Sequence, residues 1–139
     1  MREVRRIIDA YGMTPDTVTE DGASKVTIRQ LITADTQAPN FAMRLFELQP
    51  GGNTPYHTHA WEHEVFILRG QGEIVTEEGL RPFKAGDAVL VLPEEKHQFR
   101  NNGSEAVNFI CIIPIQGKCL DAMESVRDQL AALKGSKAK

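Results

Sequence analysis

The sequence predicts an all-β domain, a sandwich or small barrel, followed by one C-terminal helix. Three observations carry this. Short β-type runs recur at close spacing from Phe41 onward, turn residues separate them, and a helical apolar period occurs only near the end of the chain. At 139 residues the chain is one ordinary domain, able to bury roughly two-thirds of its unfolded surface without staples.

Residues 1–40 read as an N-terminal arm. Within it Arg5–Tyr11 is compatible with the start of a short helix, and Lys25–Thr33 alternates as a strand does. Residues 41–115 form the barrel core, with β-type runs at Phe41–Leu48, Tyr56–His59, His63–Arg69 and Gly72–Thr76. Further runs follow at Ala88–Leu92, His97–Arg100 and Val107–Ile113. The turns between them are marked by Pro50-Gly51-Gly52, Gly70-Gln71-Gly72, Glu78-Gly79, Ala85-Gly86-Asp87, Pro93-Glu94-Glu95 and Asn101-Asn102-Gly103. Residues 116–139 hold the predicted helix and a frayed tail. Leu120, Met123, Val126, Leu130 and Leu133 make one apolar stripe there, expected to pack on a barrel face or a neighbouring subunit.

Composition excludes several classes. Apolar residues are 41% and charged residues 25%, which rules out disorder and collagen-like structure. A formal charge of −3 gives no reason to expect nucleic acid or an anionic membrane as partner. The longest apolar run, near Val107–Ile115, is about half a transmembrane helix and contains Asn108 and Pro114. No apolar signal core follows the basic first residues, and the two cysteines, Cys111 and Cys119, are too few for a disulfide framework. A cytoplasmic protein is expected.

The chemistry is concentrated in the histidines. The chain has four, His57, His59, His63 and His97, and three of them fall within seven residues. His57 and His59 project from one face of an extended segment. On a straight strand His63 would lie roughly 13 Å beyond His59. A turn at Ala60-Trp61-Glu62 would bring it back opposite His59. His97 completes the set only if the sheet closes on itself. Neutral imidazole is the commonest protein metal ligand, so one divalent transition metal per chain is expected on these four residues.

At these residues the sequence resembles the cupin family. Gly51 stands six before His57-Thr58-His59, and counting seven back from Gly70 lands on His63, where most cupins carry glutamate. Gly86-Asp87, Pro93, His97 and Asn101 fit the family's second motif, with Pro93 one position late and Glu95 in place of a glycine. The family also tolerates a longer gap after His-x-His, which would make Glu64 the ligand. Only one of these neighbours can face inward, and the spacing to Gly70 favours His63. The short stretch Gln71–Ala85 is similar to small single-domain, conserved-barrel cupins, and the text around the motifs is similar to their four-histidine subgroup.

The resemblance implies a double-stranded β-helix, the jelly-roll barrel, with the metal near one mouth and open positions for a ligand. It also implies a homodimer, with the first forty residues able to add a strand to the partner's sheet. Four neutral ligands would leave the ion its full +2 charge, making it a stronger Lewis acid that attracts carboxylates or enolates. Intrinsic affinity favours copper, nickel or zinc, whereas manganese or iron is the expected physiological ion. Binding should weaken below about pH 6, where imidazoles protonate. The expected function is a small metal-dependent enzyme, of oxygenase, dioxygenase or isomerase type, acting on a small organic molecule. The alternative is a non-catalytic cupin that binds a small ligand or a metal.

Five more residues are candidates for the substrate pocket. Phe99 shares a strand face with His97, and Phe109 shares one with Cys111, so they either wall a cavity or pack as core. Cys111 reads as a buried thiol unless the barrel mouth exposes it. Arg44 is placed either to bind a substrate carboxylate or to pair with Glu47 at the surface. Trp61, in the turn between ligands, either gates the opening or packs.

Overall fold

In a computed structural model, residues 6–115 are described. The expected helix bearing Leu120–Leu133 lies outside them. The chain forms β1 (Asp16–Thr17), β2 (Ser24–Ile32), a 3-10 turn (Ala34–Thr36), β3 (Phe41–Asn53) and β4 (His63–Arg69). β5 (Gln71–Thr76), β6 (Gly79–Lys84), β7 (Ala88–Val91), β8 (His97–Arg100) and β9 (Val107–Pro114) complete it. Hydrogen-bonded neighbours run β6-β5-β8-β3-β9-β4-β7, and β2 extends from β3 with β1 on its outer side. Every pairing is antiparallel.

Alternation explains how this sheet curls. In β4, His63, Val65 and Ile67 are buried while Glu64, Phe66 and Leu68 are exposed. The inward residues of the other strands join them: Val26, Leu48, Ile74, Phe83, Val91, Phe99, Val107, Phe109 and Cys111 pack in one cluster with Val65 and Ile67. Because that cluster draws on strands from both halves of the path, the sheet must close around it as a barrel.

The long β3 makes the closure possible. Its first part, Phe41–Leu48, pairs with β9, and its last residue, Asn53, pairs with Arg100 of β8. Pro50-Gly51-Gly52 lies between these two pairings. Gly51 has φ 81°, and a side chain on Gly52 would meet the Lys25 carbonyl oxygen at 2.8 Å. Only glycine allows the strand to pass from one pairing to the other there.

Three sequence expectations are corrected. No helix forms over residues 6–11; Ile7 is 93% exposed, so a helix there would have no apolar face to bury. Tyr56–His59 is not a strand but a single bridge, His57 to His97, preceded by Pro55, which has no N–H to donate. The stretch Gly79–Lys84 is a strand that the sequence hides behind Pro82. It lies at the end of the sheet path, where proline is tolerated. Among the described residues no helix is long and apolar enough to cross a membrane.

Candidate metal centre

His63 opens β4 and His97 opens β8, so both sit at one end of the barrel. The His57–His97 bridge brings the loop after β3 to the same end: His57 N–H donates to the His97 carbonyl at 3.1 Å, and His97 N–H donates back at 2.9 Å. The bend at residues 60–62 returns the chain so that the His59 and His63 ring centres are 5.1 Å apart. The remaining ring separations are 4.2 Å for His57–His59, 5.1 Å for His57–His97 and His63–His97, and 6.0 Å for His59–His97. Two imidazoles sharing an ion through Nε2 at about 2.1 Å have ring centres roughly 4.5–6.5 Å apart.

Hydrogen bonds fix which nitrogen is free. His57 Nδ1 lies 2.7 Å from Glu20 Oε2, His97 Nδ1 lies 2.9 Å from the Glu95 carbonyl, and His63 Nδ1 lies 3.2 Å from Cys111 Sγ. With Nδ1–H donating in each, Nε2 keeps its lone pair, as a metal-ligating histidine requires. The Nε2 atoms of His57 and His59 stand 3.1 Å apart, and His63 Nε2 is buried without a partner. Two donors on one ion at right angles would be about 3 Å apart. Among the described residues no three His, Cys, Asp or Glu side chains are yet drawn in tightly enough to hold an ion without adjustment.

The electrostatics favour neutral rings. Burial, reinforced by the His57 and His97 rings, pushes the His59 pKa down to about 4. Burial, then His97 and Arg44, pushes His63 to about 2. Burial also lowers His97, against an opposing pull from the Glu95 carbonyl.

A cavity of about 350 Å³ opens beside the imidazoles. Phe99 and Phe109 are both buried and both line it, stacked with ring centres 4.8 Å apart, so each serves as core and as wall. Cys111 is a buried free thiol whose pKa burial raises. Trp61 lines the cavity and stacks on His59 at 4.5 Å, with Nε1 buried and unpartnered. Arg44 points inward and donates to Cys111 Sγ at 3.1 Å. The surface pair with Glu47 is overturned: residues three apart on a strand face opposite sides, and Glu47 accepts from Gln49 instead. Glu64 faces outward and exposed, so of the two neighbours His63 faces the cavity.

Sequence reasoning missed Glu20 and Val18, which bring the N-terminal arm to the cavity. Glu20 is 37 residues from His57, and no local spacing signals that contact.

Residues 44–113 match the family of the Cupin domain (Cupin_2). The chain belongs to the cupin family. Among curated relatives, the 1-methylthio-D-xylulose 5-phosphate methylsulfurylase of Rhodospirillum rubrum is 32% identical over 71 residues, 51% of this chain and 46% of that protein. This chain therefore spans about half of that relative. The oxalate-binding protein of Thermotoga maritima is 26% identical over 111 residues, covering 77% of this chain and 92% of that one. Among solved structures, the polyketide cyclase RemF from Streptomyces resistomycificus superposes with a TM-score of 0.76 at 28% identity, over 81% of this chain and 80% of that one.

Proposed function

We propose that His57, His59, His63 and His97 hold one divalent transition metal, as in the four-histidine cupins, and that the adjoining cavity is the substrate site of a small metal-dependent enzyme. The observation that carries this reading is the pair of facing Nε2 atoms 3.1 Å apart beside the orphaned Nε2 of His63. A proton on His59 Nε2 would satisfy the His57 lone pair, but the buried His63 Nε2 has no partner, and a cation among the rings would satisfy both. The resident ion would be manganese or iron, although zinc, nickel or copper would bind the same donors.

When bound, the ion supplies Lewis-acid polarisation of an oxygen-bearing substrate and, if redox-active, a route to oxygen chemistry. The chain's own residues do the rest. Glu20, Cys111 and the Glu95 carbonyl hold the rings of His57, His63 and His97 by Nδ1, and burial favours the neutral form of His63 and His97. Phe99 and Phe109 exclude water from the inner wall. Apart from the imidazoles, the lining carries Arg44, Glu20, which is bound to His57, and Cys111, whose thiol burial keeps protonated, so the reaction type proposed, oxygenase-like or isomerase, is assigned to the ion. A cytoplasmic homodimer acting on a small molecule, without nucleic acid, belongs to the same proposal.

A second reading is favoured by the Thermotoga relative, which is an oxalate-binding protein and nearly all of whose length is matched. In that reading the cavity retains a small ligand without turnover. Metal analysis of tag-free protein tests the common ground: about one ion per chain is expected, lost in His57→Ala and His97→Ala. Full metal content in both variants would remove the assignment. Turnover of a bound acid or sugar by the loaded protein then separates enzyme from binder.

A further inference from the structure

We infer that the ligand of this cavity is a small carboxylic acid with a flat apolar body, its carboxylate held by Arg44 and its body lying against Phe99 and Phe109. The inference rests on the reading of the cavity as a ligand site and specifies its chemistry.

Arg44 carries a cation that lies over the Phe46 ring, 5.1 Å from its centre, with no anion among the described residues to balance it. Arg44 lines the cavity, yet among the described residues no carboxylate lies within ion-pair distance of it. Its one hydrogen bond there is from Nη2 to a thiol sulfur, a weak acceptor, and its Nε is buried without any partner. This half-buried guanidinium has donors left unused, and a ligand carboxylate would meet its planar fork with two parallel hydrogen bonds.

Position and size add to this. Cys111 Sγ touches both Arg44 (3.1 Å) and His63 (3.2 Å), so an acid group on Arg44 sits one thiol away from the imidazole cluster. An aromatic wall begins beside Arg44: Phe46, under the guanidinium, stacks on Phe109 at 5.1 Å, and Phe109 stacks on Phe99 at 4.8 Å, with interplanar angles of 17° and 29°. About 350 Å³ is near the lower end of ligand cavities, enough for one or two rings. Phosphate fits less well: among the described residues Arg44 is the one Lys or Arg in the lining, and the Glu20 carboxylate lines the same cavity.

The chain's single tryptophan is Trp61, stacked on His59 in this cavity, so its fluorescence reports occupancy directly. Tag-free full-length protein, chelator-treated and zinc-loaded, is titrated with benzoate, benzamide, acetate and inorganic phosphate. Benzoate should bind at least about tenfold more tightly than benzamide in both forms, and more tightly than acetate. Arg44→Gln should bring benzoate to parity with benzamide while leaving benzamide unchanged. Arg44→Lys, which keeps the charge and loses the fork, should retain part of the preference and serves if the glutamine variant does not fold.

Acid and amide binding equally to the unaltered protein, an unchanged preference in either variant, phosphate displacing benzoate at equal concentration, or no saturable change would each overturn the inference. Loss of acid preference in protein that still takes up one ion leaves the metal reading standing. Acid preference in protein that takes up no ion removes that reading and leaves the carboxylate site.

Discussion

Two regions of this barrel treat their buried polar groups in opposite ways. Near the β8–β9 turn, Asn101 is buried with its whole amide satisfied. Nδ2 donates to the Leu48 and Glu105 carbonyls at 2.9 and 2.8 Å, and Oδ1 accepts from Gly103 N–H at 2.9 Å. At the imidazole end, Arg44 Nε, Trp61 Nε1 and His63 Nε2 are buried and unpaired. A fold selected for stability alone would pair both sets. The first region holds the chain together, and the second keeps its bonding capacity in reserve.

Breaking the satisfied region should have the largest effect. Asn101→Ala strands three backbone groups and should cost about 2–4 kcal/mol of unfolding free energy, read by urea denaturation, while leaving metal content unchanged. A loss of metal with unaltered stability would reverse the contrast. His63→Leu should do the opposite. It should reduce bound ion to near zero and, in chelator-treated protein, raise stability by about 1 kcal/mol as an orphaned polar atom disappears. A destabilisation comparable to that of Asn101→Ala would show that the ring is structural.

Glu20→Ala tests the missed contact more gently. Releasing the His57 ring should weaken metal affinity by about tenfold in a competition with a chelator, with little change in the apo melting temperature. An unchanged affinity would make Glu20 a bystander. Acid should expose the reserve from another side. The folded pKa values of His59 and His63 lie below that of a free imidazole, so between about pH 6.5 and 4 the unfolded chain binds more protons. Metal-free protein should therefore lose stability as pH falls through that window, and His63→Leu should flatten the slope. A flat profile in the unaltered protein would mean the rings are charged in the fold.

What the sequence made readable was whatever strict alternation enforces. His63–Arg69 and His97–Arg100 appear with their predicted boundaries, because one face is buried and a slip would expose it. The same parity puts His63 inside and Glu64 outside, and it disposes of an Arg44–Glu47 pair. The edge strand over Gly79–Lys84 was illegible because a strand mostly exposed on both faces needs no alternation, as its Leu80 and Pro82 show. Glu20 and Val18 were illegible for a different reason. Their approach to the cavity depends on where β1 and β2 lay the arm across β3, a long-range pairing that leaves no periodic mark.

The reciprocal backbone pair between His57 and His97 has a consequence for how the centre is assembled. Two ring-bearing residues from distant parts of the chain are clipped together by peptide groups, which no loss of cargo can undo. If the proposed ion binds, it would find the backbone preorganised, with only side-chain rotors left to freeze, so empty and loaded forms should share one backbone.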